Sequence, residues 1–234
     1  MCTNYTPATP SHLIDLAQGA GLGRIEVPAS EWPAETFPGY LAPILQRDPD
    51  GTIACHLARF GLVPRWCRDA AQASALSRGT HNARTETAAD KPSYRAPWRE
   101  RRFALVPMLA YFEPCWESGR AVRWRLQRSD GAPFAVAALH ERWRDPATGE
   151  LLRSFSLLTA NADGHPLLRR MHRPGEEKRQ LLVVPPAFFG RWMSASAQVA
   201  KALLSELAAD DLVGEPAARP ALAQAPRQQS LLDF

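Results

Sequence analysis

Lysine is nearly missing from this chain of 234 residues: of 28 basic residues only Lys91, Lys178 and Lys201 are lysines, the rest being arginines. Cationic recognition therefore falls to a planar, permanently charged fork suited to phosphates and to stacking on rings, although arginine-biased codon usage accounts for the ratio equally well. Cysteine is also scarce. Cys2, Cys55, Cys67 and Cys115 stand at irregular spacings without a CxxC pair, which argues against a thiol-rich zinc site and against a disulfide framework. The six histidines (His12, His56, His81, His140, His165, His172) show no HxxxH spacing, so no metal and no other cofactor is expected. No apolar run approaches the ~20 residues of a membrane span. No charged segment followed by an apolar one marks a secretory leader. The expected compartment is the cytoplasm.

What is present is ordinary globular material. At 45% hydrophobic and 22% charged, the chain has enough apolar surface for one core. A net charge of +4 and a pI near 9.1 permit a polyanionic partner without demanding one. The opening is proline-dotted and irregular, with a short helix expected around Ser11–Gln18. A strand is expected over Ile53–Val63, then a loop over Ala70–Ala89, then a basic helix at Ser93–Arg102. The pattern next becomes β: Phe103–Val106, Ala121–Gln127, Pro133–Leu139, Phe155–Thr159 and Leu181–Val184 are β-branched, aromatic and aliphatic runs bounded by turns. A helix starts near Pro186–Met193, and a last amphipathic one fits Ala195–Leu207 with Val199, Leu203 and Leu207 on one face. Hairpins outnumber βαβ units, so the expected class is α+β with a mainly antiparallel sheet. Gly214–Arg227 is Ala, Pro and Gln, which reads as a disordered linker and divides the chain into a domain at 1–212 and a tail at 213–234.

The chemistry begins at Met1-Cys2. A small second residue favours loss of the initiator methionine, which leaves a thiol (reference pKa ~8.5) and an α-amine (~7.7–8.0) on neighbouring carbons. Such an amine attacks an aldehyde to give a Schiff base, and the thiol closes on that imine to give a thiazolidine. An internal cysteine cannot do this, because its nitrogen is an amide.

Segments downstream accompany Cys2 in a fixed order: Phe60-Gly61-Leu62-Val63-Pro64-Arg65-Trp66, Asn82-Ala83-Arg84-Thr85-Glu86, Tyr111-Phe112-Glu113, Thr159-Ala160-Asn161-Ala162 and Met171-His172-Arg173-Pro174. Together with Met1-Cys2 they resemble the SRAP (SOS response-associated peptidase) family over roughly residues 1–193. The resemblance implies a single α+β domain whose antiparallel strands curl into a barrel-like sheet, with flanking helices, under a DNA groove. It implies covalent capture of abasic sites in single-stranded DNA during the DNA damage response, with self-removal of Met1 behind the peptidase label and lyase chemistry open at the same imine. The implied protein is a monomer working at the nucleoid.

Carried over position by position, Cys2, Asn82, Glu113 and His172 are the catalytic set, and Arg84, Trp66, Leu62, Val63 and Thr159 are the DNA contacts. Asn82 would bond the Cys2 amine or the sugar, against an Asx-turn. Arg84 would grip a phosphate, against a merely solvated charge. Glu113 ends an apolar run, so partial burial raises its pKa and suits it to move protons, against a salt-bridged strand end. His172, titrating near working pH, would open the sugar hemiacetal, with His165 as the alternative histidine. Trp66, Leu62 and Val63 would stack or wedge beside bases, with core packing the competing role. Thr159 would bond ribose or phosphate, or is a plain strand residue.

The chain departs from the family pattern in three places. Asn4 stands where an arginine is common, Pro114 replaces a tryptophan that Trp116 could substitute, and Arg173-Pro174-Gly175-Glu176-Glu177-Lys178 extends the histidine region. The last residues form a separate motif. Gln229, Leu232 and Phe234 resemble the peptide by which ligands bind a replication sliding clamp, at the end of a linker able to span ~20 Å. Two rivals to the abasic-site reading are a non-catalytic single-strand binder and a cysteine peptidase, for which neither Cys2 nor Cys115 has a flanking signature.

Overall fold

The computed structural model describes residues 2–206 and 211–218. In chain order these form β1 (Tyr5–Pro7), α1 (Pro10–Gly19), β2 (Leu41–Arg47), β3 (Ile53–Phe60), α2 (Ala70–Ser77), β4 (Asn82–Arg84), α3 (Arg95–Arg99) and β5 (Phe103–Cys115). There follow β6 (Val122–Arg128), β7 (Phe134–Arg144), β8 (Leu151–Asn161), β9 (Arg179–Leu181), β10 (Val183–Val184), α4 (Phe189–Met193), α5 (Ala197–Glu206) and β11 (Leu212–Pro216).

Five strands close on themselves. β5 pairs with β2 on one side and β7 on the other, β2 with β3, β7 with β8, and β3 with β8. Only the β3–β8 seam of this ring is parallel, with Phe60 beside Phe155. The other strands extend its edges: β1 on β5, β4 and β9 on β8, β10 on β7, and β6 then β11 beyond β5. The expected α+β class with a mainly antiparallel, barrel-like sheet and flanking helices is the one observed.

Side-chain alternation explains why the strands read as nearly unbroken apolar runs. Along β5 and β7, Ala104, Val106, Val136 and Ala138 pack with Ile44, Phe60, Phe155 and Leu157. Among the described residues no α-helix contributes to that cluster, so it fills the ring. Small alanines (Ala42, Ala58, Ala104, Ala138) make room for the stacked Phe60–Phe155 pair, whose centroids are 5.2 Å apart. The intervening residues Phe103, Leu105, Ala135, Ala137 and Leu139 face outward onto Leu13, Trp98, Phe189, Trp192 and Leu203 of the helices. Both faces are therefore covered, and each strand is apolar on both.

Several local expectations change. The loop expected over Ala70–Ala89 contains α2 and β4. α2 is AAQASALS, stabilised by alanine propensity and by the Asp69 side chain accepting from Gln72 N–H at 2.7 Å rather than by an apolar stripe. β4 is too short to alternate and exists because it pairs with β8. The irregular opening contains β1 and β2. Leu181–Val184 is two strands, β9 on β8 and β10 on β7, with Leu182 between them. Val199 is exposed while Leu203 is buried, so the apolar face of α5 is narrower than expected. The linker does not begin at Gly214: β11 lies antiparallel to β6, with Gly214 against Leu126 and Trp124 where a Cβ would collide. Leu207, most of the expected linker, and the clamp-like Gln229, Leu232 and Phe234 lie outside the described residues.

Candidate active site

Three segments converge on Cys2. The first is β5: Tyr5 opposes Tyr111, and Phe112 N–H donates to Asn4 O at 3.0 Å, so the residues leading into β1 run beside Glu113. The second is β4, whose Asn82 donates from Nδ2 to the Cys2 carbonyl at 2.7 Å. The third arrives when Met171 bridges Cys115, after which His172 N–H donates to Pro114 O at 2.7 Å. This turns the ring of His172 toward β5, with Nε2 at 3.6 Å from Glu113 Oε2. Residues from the start, the middle and the last third of the chain thus share one buried cluster.

None of Cys2, Asn82, Glu113 and His172 is more than 8% exposed, so desolvation governs their protonation. Burial pushes the Glu113 carboxyl up to about 7, where it holds and releases a proton near neutrality. Burial, with the Glu113 charge added, pushes the Cys2 thiol far above its usual range; its Sγ donates to Asn4 O at 3.5 Å. His172 is moved the other way, down to about 4, chiefly by burial and further by positive neighbours including Lys178. Here the sequence reading is corrected. The imidazole is held neutral at pH 7, and the group poised near neutrality is the Glu113 carboxyl, whose rise burial was expected to cause.

The backbone around these groups is held firmly. His172 has φ of 61°, in the left-handed region that a histidine seldom enters. Lys178 Nζ secures that turn by donating to the carbonyls of His172 (3.2 Å) and Arg173 (2.7 Å). Asn82 is fixed by Tyr94, whose hydroxyl donates to its carbonyl at 3.0 Å, while its own Oδ1 is buried with no hydrogen-bond partner among the described residues. Asn82 is therefore not an Asx-turn residue, and its amide reaches the Cys2 carbonyl in place of the expected amine or sugar. His165 accepts the N–H groups of Leu167 and Leu168 at 3.1 Å each through Nδ1, which makes it a local cap.

The expected DNA contacts divide. Trp66 is 45% exposed, its Nε1 donating to Pro92 O at 3.3 Å. Arg84 is half exposed and pairs with Glu177 at 2.7 Å. Leu62 and Val63 are fully buried, in the outer core and beside Trp143 respectively. Thr159 is 1% exposed and spends its hydroxyl on Ala83 O (3.4 Å) and Arg179 Nη2 (3.2 Å). All three are therefore buried in this fold, while Trp66 and Arg84 reach its surface.

Asn4 is buried and grips Thr36 O. Arg123 of β6 reaches it instead of solvent, donating from Nη2 to Asn4 Oδ1 (2.6 Å) and Glu35 Oε2 (2.8 Å) while its guanidinium lies 3.4 Å from the Phe112 centroid. Trp116, considered as a replacement for the tryptophan missing at Pro114, carries the Arg173 guanidinium 5.1 Å from its ring. Sequence reasoning missed Tyr94, Arg123 and the supporting role of Lys178. Only the alternation of Arg123 and Arg125 in β6 was visible locally, and it does not say which neighbour they meet. Among the described residues no cluster of His, Cys, Asp and Glu could hold a metal, and no helix is long and apolar enough to cross a membrane.

The fold is thus an α+β domain on a closed five-stranded barrel, with its polar cluster where the start of the chain crosses β5. The sequence model of the SOS response associated peptidase (SRAP) family matches residues 1–219, and the chain belongs to that family. Two similar proteins of Bacillus subtilis strain 168 are the abasic site processing proteins YoqW, 30% identical over 104 residues, and YoaM, 32% identical over 88. These matches cover 43% and 36% of this chain, and the same shares of the relatives' own lengths. A solved Bordetella bronchiseptica protein superposes with a TM-score of 0.81 at 32% identity, covering 93% of this chain and 100% of that one. A Bacteroides thetaiotaomicron protein shares the fold with a TM-score of 0.73 at 20% identity, over 93% of this chain and 92% of that one.

Proposed function

We propose that this protein processes abasic sites in single-stranded DNA by trapping them covalently on Cys2 after Met1 has been removed. The observation that carries the reading is the Asn82–Cys2 contact at 2.7 Å beside a carboxyl poised near neutrality. The names of the relatives point to the same substrate.

Neutral His172 takes the C1 hydroxyl proton of the closed sugar and returns it to the ring oxygen as the C1–O4′ bond breaks, which frees the aldehyde and leaves the imidazole neutral. The Cys2 amine adds to the carbonyl carbon and passes one proton to the carbonyl oxygen to give the carbinolamine, oriented by Asn82, whose Oδ1 has no hydrogen-bond partner among the described residues and is an acceptor suited to an N–H. Protonated Glu113 gives its proton to the carbinolamine hydroxyl, which leaves as water and leaves the nitrogen as an N-protonated imine. The resulting carboxylate takes the thiol proton as sulfur bonds to the imine carbon. The displaced π pair settles on the protonated imine nitrogen, which becomes a neutral amine, and Glu113 keeps the thiol proton. Aldehyde and aminothiol become thiazolidine and one water, and Glu113 can begin again. The buried thiol needs this local base, since it does not ionise unaided at neutral pH. Arg84 and Trp66 supply phosphate and base contacts, while Gln229, Leu232 and Phe234 tether the domain to a sliding clamp.

The test is a denaturing gel of full-length protein with single-stranded DNA carrying one abasic site. A retarded band for wild type that Cys2→Ala abolishes is expected. No band from protein whose intact mass shows Met1 removed refutes the trap and leaves a single-strand binder. For the tether, truncation after Ala218 keeps β11 and should abolish clamp binding; unchanged binding, or none in the full chain, refutes it.

A further inference from the structure

Glu177 lies in the run Arg173–Lys178 that extends the histidine region, and its carboxylate joins two arginines. Oε2 accepts from Arg84 Nη1 at 2.7 Å and Oε1 accepts from Arg179 Nη1 at 2.7 Å, with Asn161 Nδ2 at 3.5 Å from the same oxygen. The two arginines differ in need. Arg179 is 3% exposed and already has a bidentate partner: its Nη1 and Nη2 donate to the two Glu86 oxygens at 3.0 and 2.9 Å, and Nη2 also to Thr159 O at 2.7 Å. One carboxylate suffices to neutralise it. Arg84 is half exposed, and Glu177 is the carboxylate that meets it. Without Glu177 the group of Arg84, Arg179 and Glu86 would carry one net positive charge beside the Cys2 pocket, since β4 places Arg84 two residues after Asn82.

We propose that Glu177 is a built-in competitor for DNA phosphate: its Oε2 holds Nη1 of the Arg84 guanidinium, so that a phosphodiester pairing fully with Arg84 has to displace it. A carboxylate and a phosphate present the same paired oxygens to a guanidinium, so one can take the place of the other. The exchange is cheap because the Arg84–Glu177 pair is solvent-reached, while Arg179 keeps Glu86 throughout. Glu177 thus sets how strongly a strand must press on Arg84 before it is held, which weakens capture of undamaged single strands. The inference rests on Arg84 contacting the DNA backbone, as proposed above.

The experiment is fluorescence anisotropy of an intact single-stranded oligonucleotide with full-length wild type, Glu177→Gln, Arg84→Ala and the double variant over a range of salt. Glu177→Gln should bind up to about fivefold more tightly, the scale of an exposed ion pair. Its log–log salt slope should steepen by up to about 0.7, one phosphate's worth on a single strand. The gain should vanish in the double variant. Equal or weaker binding by Glu177→Gln with an unchanged slope overturns the proposal, as does a gain that survives loss of Arg84. If Glu177→Gln fails to fold, Glu177→Asp, one methylene short of Arg84, should show part of the gain, and no gain overturns the proposal equally. Covalent trapping measured in parallel separates this idea from the trap. Gain without trapping sinks the trap alone, trapping without gain sinks the competitor alone, and no DNA binding by any variant sinks both.

Discussion

Glu113→Gln should stabilise the protein while slowing its proposed chemistry, and the stabilisation should grow with pH. The Glu113 carboxyl is buried in β5 with its pKa raised from 4.5 to about 7. Between those values the folded state keeps a proton that the unfolded chain releases, so stability falls as pH rises. The favourable neutral form is fully present below about 4.5, and the whole cost is felt above about 7. At ~1.36 kcal/mol per pH unit the ionised carboxylate costs ~3 kcal/mol at alkaline pH. Glutamine keeps the shape and never ionises. The difference between the two proteins should therefore be small at pH 5 and approach ~3 kcal/mol in favour of glutamine at pH 8.5, every other titration cancelling. In a domain of this size that is a melting-temperature gap of roughly 6–12 °C. Urea unfolding of both proteins at the two pH values measures it directly. On the denaturing gel the same variant should trap abasic DNA at least ~100-fold more slowly, for want of a proton donor. A stability difference that is equal at both pH values would falsify the argument, because it would mean that Glu113 has no raised pKa to lose.

Asn82→Ala removes the donor to the Cys2 carbonyl and should cost ~1–2 kcal/mol of stability and slow trapping by an order of magnitude or more, while anisotropy shows unchanged affinity for intact single strands. Gly61→Ala, at φ +118° and with its Cβ driven into the Ser77 backbone oxygen, should lose ~3 kcal/mol or more in urea; a loss under ~1 kcal/mol contradicts that geometry. Leu62→Ala should cost ~2–5 kcal/mol and leave DNA affinity alone while the protein is folded. Trp66→Ala should do the reverse, weakening DNA by ~1–3 kcal/mol with little change in unfolding; a matching loss of DNA affinity in Leu62→Ala would restore that residue as a base wedge.

The residues of the proposed chemistry were legible because their signals are local or positional. Cys2 announces itself by following Met1. Asn82, Glu113 and His172 sit in short segments of fixed order, and the apolar runs at Phe103, Pro133 and Phe155 mark β5, β7 and β8. Other features had no local signal. Nothing in AAQASALS shows an apolar stripe, so α2 depended on its Asp69 cap and on alanine. Leu62 and Val63 follow a glycine turn as surface residues often do, and only the β3–β4–β8 seam makes them core.

The sequence by itself determined the α+β class and the antiparallel strands and pointed to the proposed nucleophile and its partners, because alternation, turn residues and functional-group chemistry are properties of neighbours along the chain. The raised pKa of Glu113 was expected from its place at the end of an apolar run, but only tertiary structure decided how far each group moves and that His172 moves down. Burial raised Glu113 to about 7 and lowered His172 to about 4, inverting the expectation from their free pKa values. It also decided that Arg123 clamps Asn4, that Glu177 meets Arg84 and that β11 continues the sheet. Desolvation and ion pairing depend on what the closed barrel brings from 80 or more residues away, as Asn82 is brought to Cys2, and that distance lies beyond any local pattern.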